Sequence, residues 1–330
     1  MITESTWVEL EAEVDTRQGS FWRRVLPDSE HEIFIGLLMP QRSRQLSVRG
    51  PASVGDHPME QTRIVEAELG APDSRGEREF LIRLQSKDAS GVFTALVNDL
   101  VRHLDQCKSR SRGLSEVINR FVLWKRLLSP KGPLGLTFSE QQGLFGELQL
   151  LHDVVEETGN TEIVSCWYGP DSARCDFVNS GYALEIKTVA ESSYPRVRIA
   201  SEHQLSARGL TALHLCIYVV SIQDSGNGKS LPDLVQEMRG VLGGSARDIF
   251  EDKLIQVGYA DVHSPRYESR KYSLRSRQIY EVDQFFPALT PESIPLGVGA
   301  VDYEVSLDTC SANLRESHGV SRFLMMDTYE

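Results

Sequence analysis

The sequence predicts an α/β protein whose core is a mixed central sheet flanked by helices, with an N-terminal α+β unit attached. Three observations carry this prediction. In the second half of the chain, segments of helical and strand periodicity follow in the order helix, strand, strand, helix, strand, helix, the pattern of a sheet covered by helices. The first ~130 residues read differently, with strand-like runs first and two amphipathic helices after them. Between them, Ser129-Pro130-Lys131-Gly132-Pro133-Leu134-Gly135 places two prolines and two glycines in seven residues. Such a segment cannot continue a helix. The boundary is expected there, giving residues 1–130 as an accessory α+β domain and residues 131–330 as the main domain.

Each element has a local reason. Glu32 to Leu38, Arg63 to Leu69 and Glu79 to Leu84 are short, β-rich and roughly alternating, so they read as strands. Pro51 to Asp56 and Gly70 to Gly76 carry the Gly, Pro, Asp and Ser of turns. Val92, Phe93, Leu96, Val97, Leu100, Val101 and Leu104 recur at three and four residues, one apolar stripe of a helix. A second helix is expected from about Ser115 to Leu128, burying Val117, Ile118, Phe121, Trp124 and Leu128. Past the break, Ser139 with Gln142 three residues on reads as a capping box. Leu144, Phe145, Leu148, Leu151, Val154 and Val155 give that helix its buried face, and Gly159 suits its end. Two short apolar strands follow, joined by Asn179-Ser180-Gly181. Ile199 to Leu205 reads as a strand end entering a short helix, and Leu213 to Ile222 as a buried strand. Leu231 to Leu242 and Ala246 to Gln256 are helical on either side of Gly243-Gly244, and strands are expected near Gln278 to Val282 and Val298 to Leu307.

Composition narrows the class. A hydrophobic fraction of 40% and a charged fraction of 25% are ordinary for a globular chain, which argues against disorder. No apolar run reaches bilayer length, and the N-terminus lacks a basic region followed by an apolar stretch, so no membrane association and no secretory signal are expected. The five cysteines stand singly, with no zinc spacing, which suits reduced thiols and a cytoplasmic protein. The net charge of −12 disfavours a nucleic-acid binder unless basic residues gather locally. They do gather in two runs, Arg102 to Arg126 and Arg266 to Arg277.

The chemistry concentrates in Arg174-Cys175-Asp176-Phe177-Val178-Asn179-Ser180-Gly181-Tyr182-Ala183-Leu184-Glu185-Ile186-Lys187-Thr188. Glu185 and Lys187 are two apart on a strand and project from one face. A tight turn at Asn179-Ser180-Gly181 pairs their strand with that of Asp176. The neighbours Phe177, Val178, Leu184 and Ile186 are apolar, so the charges sit on strands that otherwise read as buried. Buried charge is costly unless it is paired or metal-bound. Two carboxylates and an ammonium at one point can hold a divalent cation and steer a water beside it. A lone Glu-x-Lys is common; what distinguishes this one is Asp176 across a turn and Glu147 in the middle of the preceding helix.

These motifs, with Gly143-Leu144-Phe145-Gly146-Glu147-Leu148, Trp167-Tyr168-Gly169-Pro170 and Ser201-Glu202-His203-Gln204-Leu205, resemble a bacterial family of unknown function within the PD-(D/E)xK nuclease superfamily. The resemblance covers most of the chain. It implies a restriction-endonuclease-like core and a metal-dependent DNA endonuclease, the cleavage component of a restriction or phage-defence system. It further implies Asp176, Glu185 and Glu147 as ligands to Mg²⁺ (with Mn²⁺ able to substitute), the backbone carbonyl of Ile186 as a further ligand, Lys187 as the group that orients the attacking water, and Gln204 as a polar side chain touching the phosphate or holding Lys187. Cys175 stands where the superfamily often has proline. The expected partners are DNA and other subunits of a defence system, or a second copy of the chain, since cutting two strands from one site per chain needs two copies. The alternatives are a catalytically silent module of the same fold that binds DNA or a protein, or a nuclease acting on RNA or branched DNA.

Overall fold

A computed structural model describes residues 1–14, 18–51, 62–129, 134–171 and 174–315, the side chain of Asp171 excepted. Most of the predicted turn at Pro51 to Asp56, and the core of the Pro/Gly break, residues 130–133, lie outside these residues. The chain folds as two compact units, one comprising Met1–Gly135 with Gly258–Val262, the other Leu136–Val257 with His263 onward.

The first unit opens with helix α1 (Glu4–Glu13), capped by the Thr3 hydroxyl. A five-stranded antiparallel sheet follows, built from β1 (Gly19–Val25), β2 (Glu32–Met39), β3 (Ser43–Pro51), β4 (Val65–Leu69) and β5 (Glu77–Leu84) in the order β1-β2-β3-β5-β4. Alternation does the sorting: Ile33, Ile35 and Leu37 of β2, Leu46 and Val48 of β3, and Phe80 and Ile82 of β5 are buried. Strands β1 and β3 carry Arg, Ser and Gly among their apolar residues, which blurs the period and hides them in the sequence. Helices α2 (Ser90–Gln106) and α3 (Arg110–Leu123) complete the unit. Helix α3 begins five residues before the predicted start, because Gly113 inside its first turn fits against His31, where a Cβ would fall 2.5 Å from the ring. Asp99 of α2 is buried and accepts from Arg120 Nε at 2.8 Å and from Trp124 Nε1 at 2.8 Å.

In the second unit, helix α4 (Phe138–Thr158) is capped by Thr137 with Glu140 at the third helical position, two residues before the predicted Ser139/Gln142 box. The motif is the same, set one register earlier, because Thr137 is the residue with extended backbone. Strands β6 (Phe177–Asn179), β7 (Tyr182–Ala190), β9 (Ala212–Gln223), β10 (Lys271–Glu281) and β12 (Leu314–Arg315) form a mixed sheet in the order β12-β10-β9-β7-β6, with β8 (Arg196–Ile199) preceding β9 in the chain and β11 (Tyr303–Ser306) following β10. Only β7 and β9 run parallel; the other neighbours in that sheet are antiparallel, and β8 pairs with β11 in a separate ribbon. Helices α5 (Leu231–Val241), α6 (Gly244–Gln256) and the short α7 (Ser264–Tyr267) follow β9. Among the described residues no helix is long and apolar enough to cross a membrane.

Two details position the site. The β6–β7 turn has Ser180 at φ 48° and Gly181 at φ 87°, the twist that suits a two-residue hairpin. Helix α4 meets β7 at Gly146, where a Cβ would stand 1.9 Å from Thr188 Oγ1, so only glycine allows this approach. The residues after β8 correct one expectation: Ser201 to Leu205 is a turn, not a helix. There the Ala200 N–H donates to Gln204 Oε1 and the His203 N–H to Ser201 Oγ, so side chains accept from N–H groups of the segment read as a helix start.

Candidate functional site

The hairpin register pairs Phe177 with Leu184, and one further step sets Asp176 opposite Glu185. The β6 strand stops at that point. The Ile186 N–H on β7 instead donates to Asp176 Oδ2 at 2.7 Å, so the carboxylate takes the place of the missing strand. A strand residue's N–H and C=O point to the same side, so the Ile186 carbonyl opens toward this edge as well. Glu185 is buried, and Lys187 Nζ stands 2.7 Å from its Oε1. That oxygen thus faces the ammonium directly. The same ammonium donates to Gln204 Oε1 at 3.0 Å, and the Ala200 N–H donates to that oxygen at 2.9 Å. Two donors converging on one oxygen fix the orientation of the amide.

Glu147 enters from α4. Its Oε2 accepts from Trp167 Nε1 at 2.7 Å. A Cβ at Gly169 would stand 2.5 Å from Glu147 Oε2 and 3.2 Å from Asp176 Oδ1, so both acids border the space over this glycine. The backbone N–H groups of Tyr168 and Gly169 donate to the Asp176 carbonyl at 2.7 and 3.1 Å. Asp176, Glu185, Lys187, Glu147, Gln204 and Ile186 are thus brought to one place. In the sequence, Trp167-Tyr168-Gly169-Pro170 stood only as one of the motifs of the resemblance. In the structure Trp167 is buried, and the segment braces two of the acids. The available signal was a glycine following two aromatics just ahead of Asp176.

Electrostatics follow from burial. Burial pushes the Glu185 carboxyl up to about 8, the nearby Asp176 adds to this, and Lys187 opposes it. Burial likewise raises Asp176, against the Ile186 N–H and Lys187. Glu147 is raised well above the usual carboxylate range by burial and then by Asp176. Cys175, in the position before Asp176, is buried, and burial pushes its thiol up to about 11. A neutral thiol there is a small apolar filler.

The two basic runs are largely committed elsewhere. Arg102 and Arg120 hold Asp99, Arg110 reaches Glu77, Lys271 reaches Asp233, and Arg277 binds Asp153. These residues are therefore structural cations and not an unopposed basic face.

A family model matches residues 3–308, and its description reads "Putative PD-(D/E)XK family member (DUF4420)". The chain belongs to this family. No curated protein and no solved structure matches it. The mixed α/β fold is the one this membership implies, and the PD-(D/E)XK superfamily is generally one of nucleases that use divalent metals.

Among the described residues, no group of three or more His, Cys, Asp or Glu side chains is arranged as a ready-made metal cage. Each acid is turned onto a protein partner: Glu147 onto Trp167, Asp176 onto Ile186 and Glu185 onto Lys187. The donor chemistry nevertheless fits a hard cation. All three offer carboxylate oxygens. Glu185 Oε1 is buried against the Lys187 ammonium, and the space over Gly169 is bordered by oxygens of Glu147 and Asp176.

Proposed function

We propose that this PD-(D/E)XK family member is a metal-dependent DNA endonuclease, with Mg²⁺ as the expected ion and Mn²⁺ as its substitute, acting as the cleavage component of a restriction or phage-defence system. The observation that carries this reading is the meeting of one buried and two half-buried carboxylates with one ammonium, which is held between Glu185 and Gln204. A fold has little structural use for three clustered acids sharing one cation, whereas phosphodiester hydrolysis needs such a set.

On this reading Asp176 and Glu185 hold the ion, joined by Glu147 and the Ile186 carbonyl. When bound, the ion acts as a Lewis acid on the phosphate and makes water a better nucleophile at neutral pH. Lys187 donates a hydrogen bond to the attacking water and carries positive charge to where the phosphorane develops negative charge. Gln204 keeps Lys187 at that point, because its amide oxygen is already fixed by the Ala200 N–H. In-line attack breaks the bond from phosphorus to the 3′ oxygen, leaving a 5′-phosphate. One site per chain cuts one strand, so double-strand cleavage requires a homodimer or partner subunits.

Plasmid nicking in Mg²⁺ tests this, comparing wild type with Lys187→Ala. Wild type alone should produce open circles; equal products from both proteins would remove the enzyme reading. A second reading, a silent module that grips DNA or a protein, is favoured by one observation: Glu147 and Asp176 are turned onto Trp167 and the Ile186 N–H. It predicts binding without nicking in the same assay. A panel of RNA and branched DNA decides the substrate.

A further inference from the structure

Lys253 lies on α6 and is buried. An ammonium out of water is costly unless it is partnered. Its Nζ donates to the backbone carbonyl of Trp167 and lies 5.2 Å from the centre of the Tyr168 ring. Phe250, three residues earlier and on the same helix face, sets its ring 6.2 Å from that of Trp167. Helix α6 therefore grips Trp167-Tyr168 on one side, and the same segment meets the acids on the other. There Trp167 Nε1 donates to Glu147, the Tyr168 and Gly169 N–H groups donate to the Asp176 carbonyl, and Gly169 borders both carboxylates. A residue needed only to fill space here would serve as well if apolar, since replacing a buried charge by a well-packed apolar group is often neutral or stabilising.

We propose that Lys253 is a positioning residue for the acidic site: by holding the Trp167 carbonyl it fixes the Trp167–Gly169 bracket, and that bracket sets Glu147 against Asp176 and tunes affinity for a divalent cation. The link to a cation rests on the functional reading above; the link to the bracket does not.

The test uses the full chain and two readouts. Lys253→Met keeps the length and removes the charge, and Lys253→Arg keeps a cationic donor. In EDTA, the indole N–H of Trp167, assigned with Trp167→Phe in ¹⁵N-tryptophan-labelled protein, reports the Glu147 bond. In Lys253→Met its resonance should shift and its hydrogen exchange should quicken about tenfold or more, while Trp7 and Trp124 stay unchanged. Mn²⁺ affinity, read from free Mn²⁺ by electron paramagnetic resonance, should fall about tenfold, the low end for groups that support metal ligands. Lys253→Arg should restore most of both. An unchanged Trp167 signal overturns the proposal, as does a change shared by all three buried indoles, or a changed Trp167 signal with unchanged Mn²⁺ affinity. If wild type binds no Mn²⁺, the functional reading fails, and the indole readout alone still decides whether Lys253 holds the bracket. Should Lys253→Met not fold, Lys253→Gln, which keeps a donor on a shorter arm, carries the same comparison with intermediate effects.

Discussion

Raising the pH from 6.5 to 8 in EDTA should destabilise this protein. Burial moves the Glu185 carboxyl from 4.5 up to about 8, so the folded state keeps a proton that the unfolded chain has already released. Stability falls wherever the native state binds more protons, here from about pH 4.5 until the folded carboxyl has titrated near 8. His214 works in the opposite sense. Burial lowers it from 6.5 to about 4, so the unfolded chain holds the extra proton between those values and stability climbs with pH there. By roughly one pH unit above 6.5 that opposing effect is spent, and Glu147 and Asp176, raised by the same burial, add to the fall. Most of one proton is held by Glu185 across this window, and at about 1.4 kcal/mol per unit its share of the loss is about 1.5 kcal/mol.

Urea unfolding at pH 6.5, 7.0, 7.5 and 8.0 measures this directly. Ligands must be deprotonated to bind metal, so saturating Mg²⁺ or Mn²⁺ should stabilise more at pH 8 than at pH 6.5 and flatten the slope. Glu185→Gln cannot titrate and should show a smaller slope in EDTA, the remainder belonging to Glu147 and Asp176. Stability that is flat or rising over this window in wild type, or a slope unchanged by Glu185→Gln, would refute the argument that the acids are buried together.

Four further outcomes are expected. Lys187→Ala should lower nicking by about 10²–10³-fold, the usual loss when a transition-state donor is removed, with an unchanged circular dichroism spectrum. Gly169→Ala puts a Cβ 2.5 Å from Glu147 Oε2, so it should displace that acid and weaken Mn²⁺ binding by titration calorimetry, while stability in EDTA changes little. Gly146→Ala meets Thr188 Oγ1 at 1.9 Å and should cost about 1–3 kcal/mol in urea unfolding, with partial recovery in the double variant carrying Thr188→Ala. Asp99→Ala strands the buried Arg120 guanidinium in the first unit and should cost about 3–5 kcal/mol, with Asp99→Asn recovering part through Trp124.

Elements with a clean period were legible in the sequence. Helix α2, the buried strand β9 and the α5–α6 pair stand close to where periodicity and the glycine break put them. What was not legible depended on distant partners. The early start of α3 requires His31 to receive Gly113, and β1 and β3 need their neighbours to show which residues are inside. Ser201 to Leu205 forms a turn where a short helix was expected, because Gln204 turns its side-chain oxygen back to accept from the Ala200 N–H. For the site, the Asp176, Glu185 and Lys187 grouping could be argued from strand alternation and one turn. The bracket of Trp167, Gly169 and Lys253 could not, since it joins residues as far apart as Glu147 and Lys253, on two different helices.

The acidic cluster is the feature that ordinary folding physics explains least. Elsewhere among the described residues, buried Asp99 has Arg120, and half-buried Asp153 has Arg277 and the Tyr218 hydroxyl. At Glu147, Asp176 and Glu185, a single ammonium faces three carboxylates, and each acid is pushed toward its protonated form. A cluster serving stability alone would do better with one acid replaced by Gln or Leu. Its expense makes sense if the cluster works by holding positive charge that the protein does not itself supply, which is also why acidity of the whole chain need not oppose action on a polyanion. Single Asn or Gln substitutions decide between these accounts. If Asp176→Asn or Glu185→Gln raises stability in EDTA at pH 8 while removing divalent-cation binding, the acids are kept for function against the interest of the fold. If either substitution lowers stability there, the cluster is structural and the catalytic reading loses its main support.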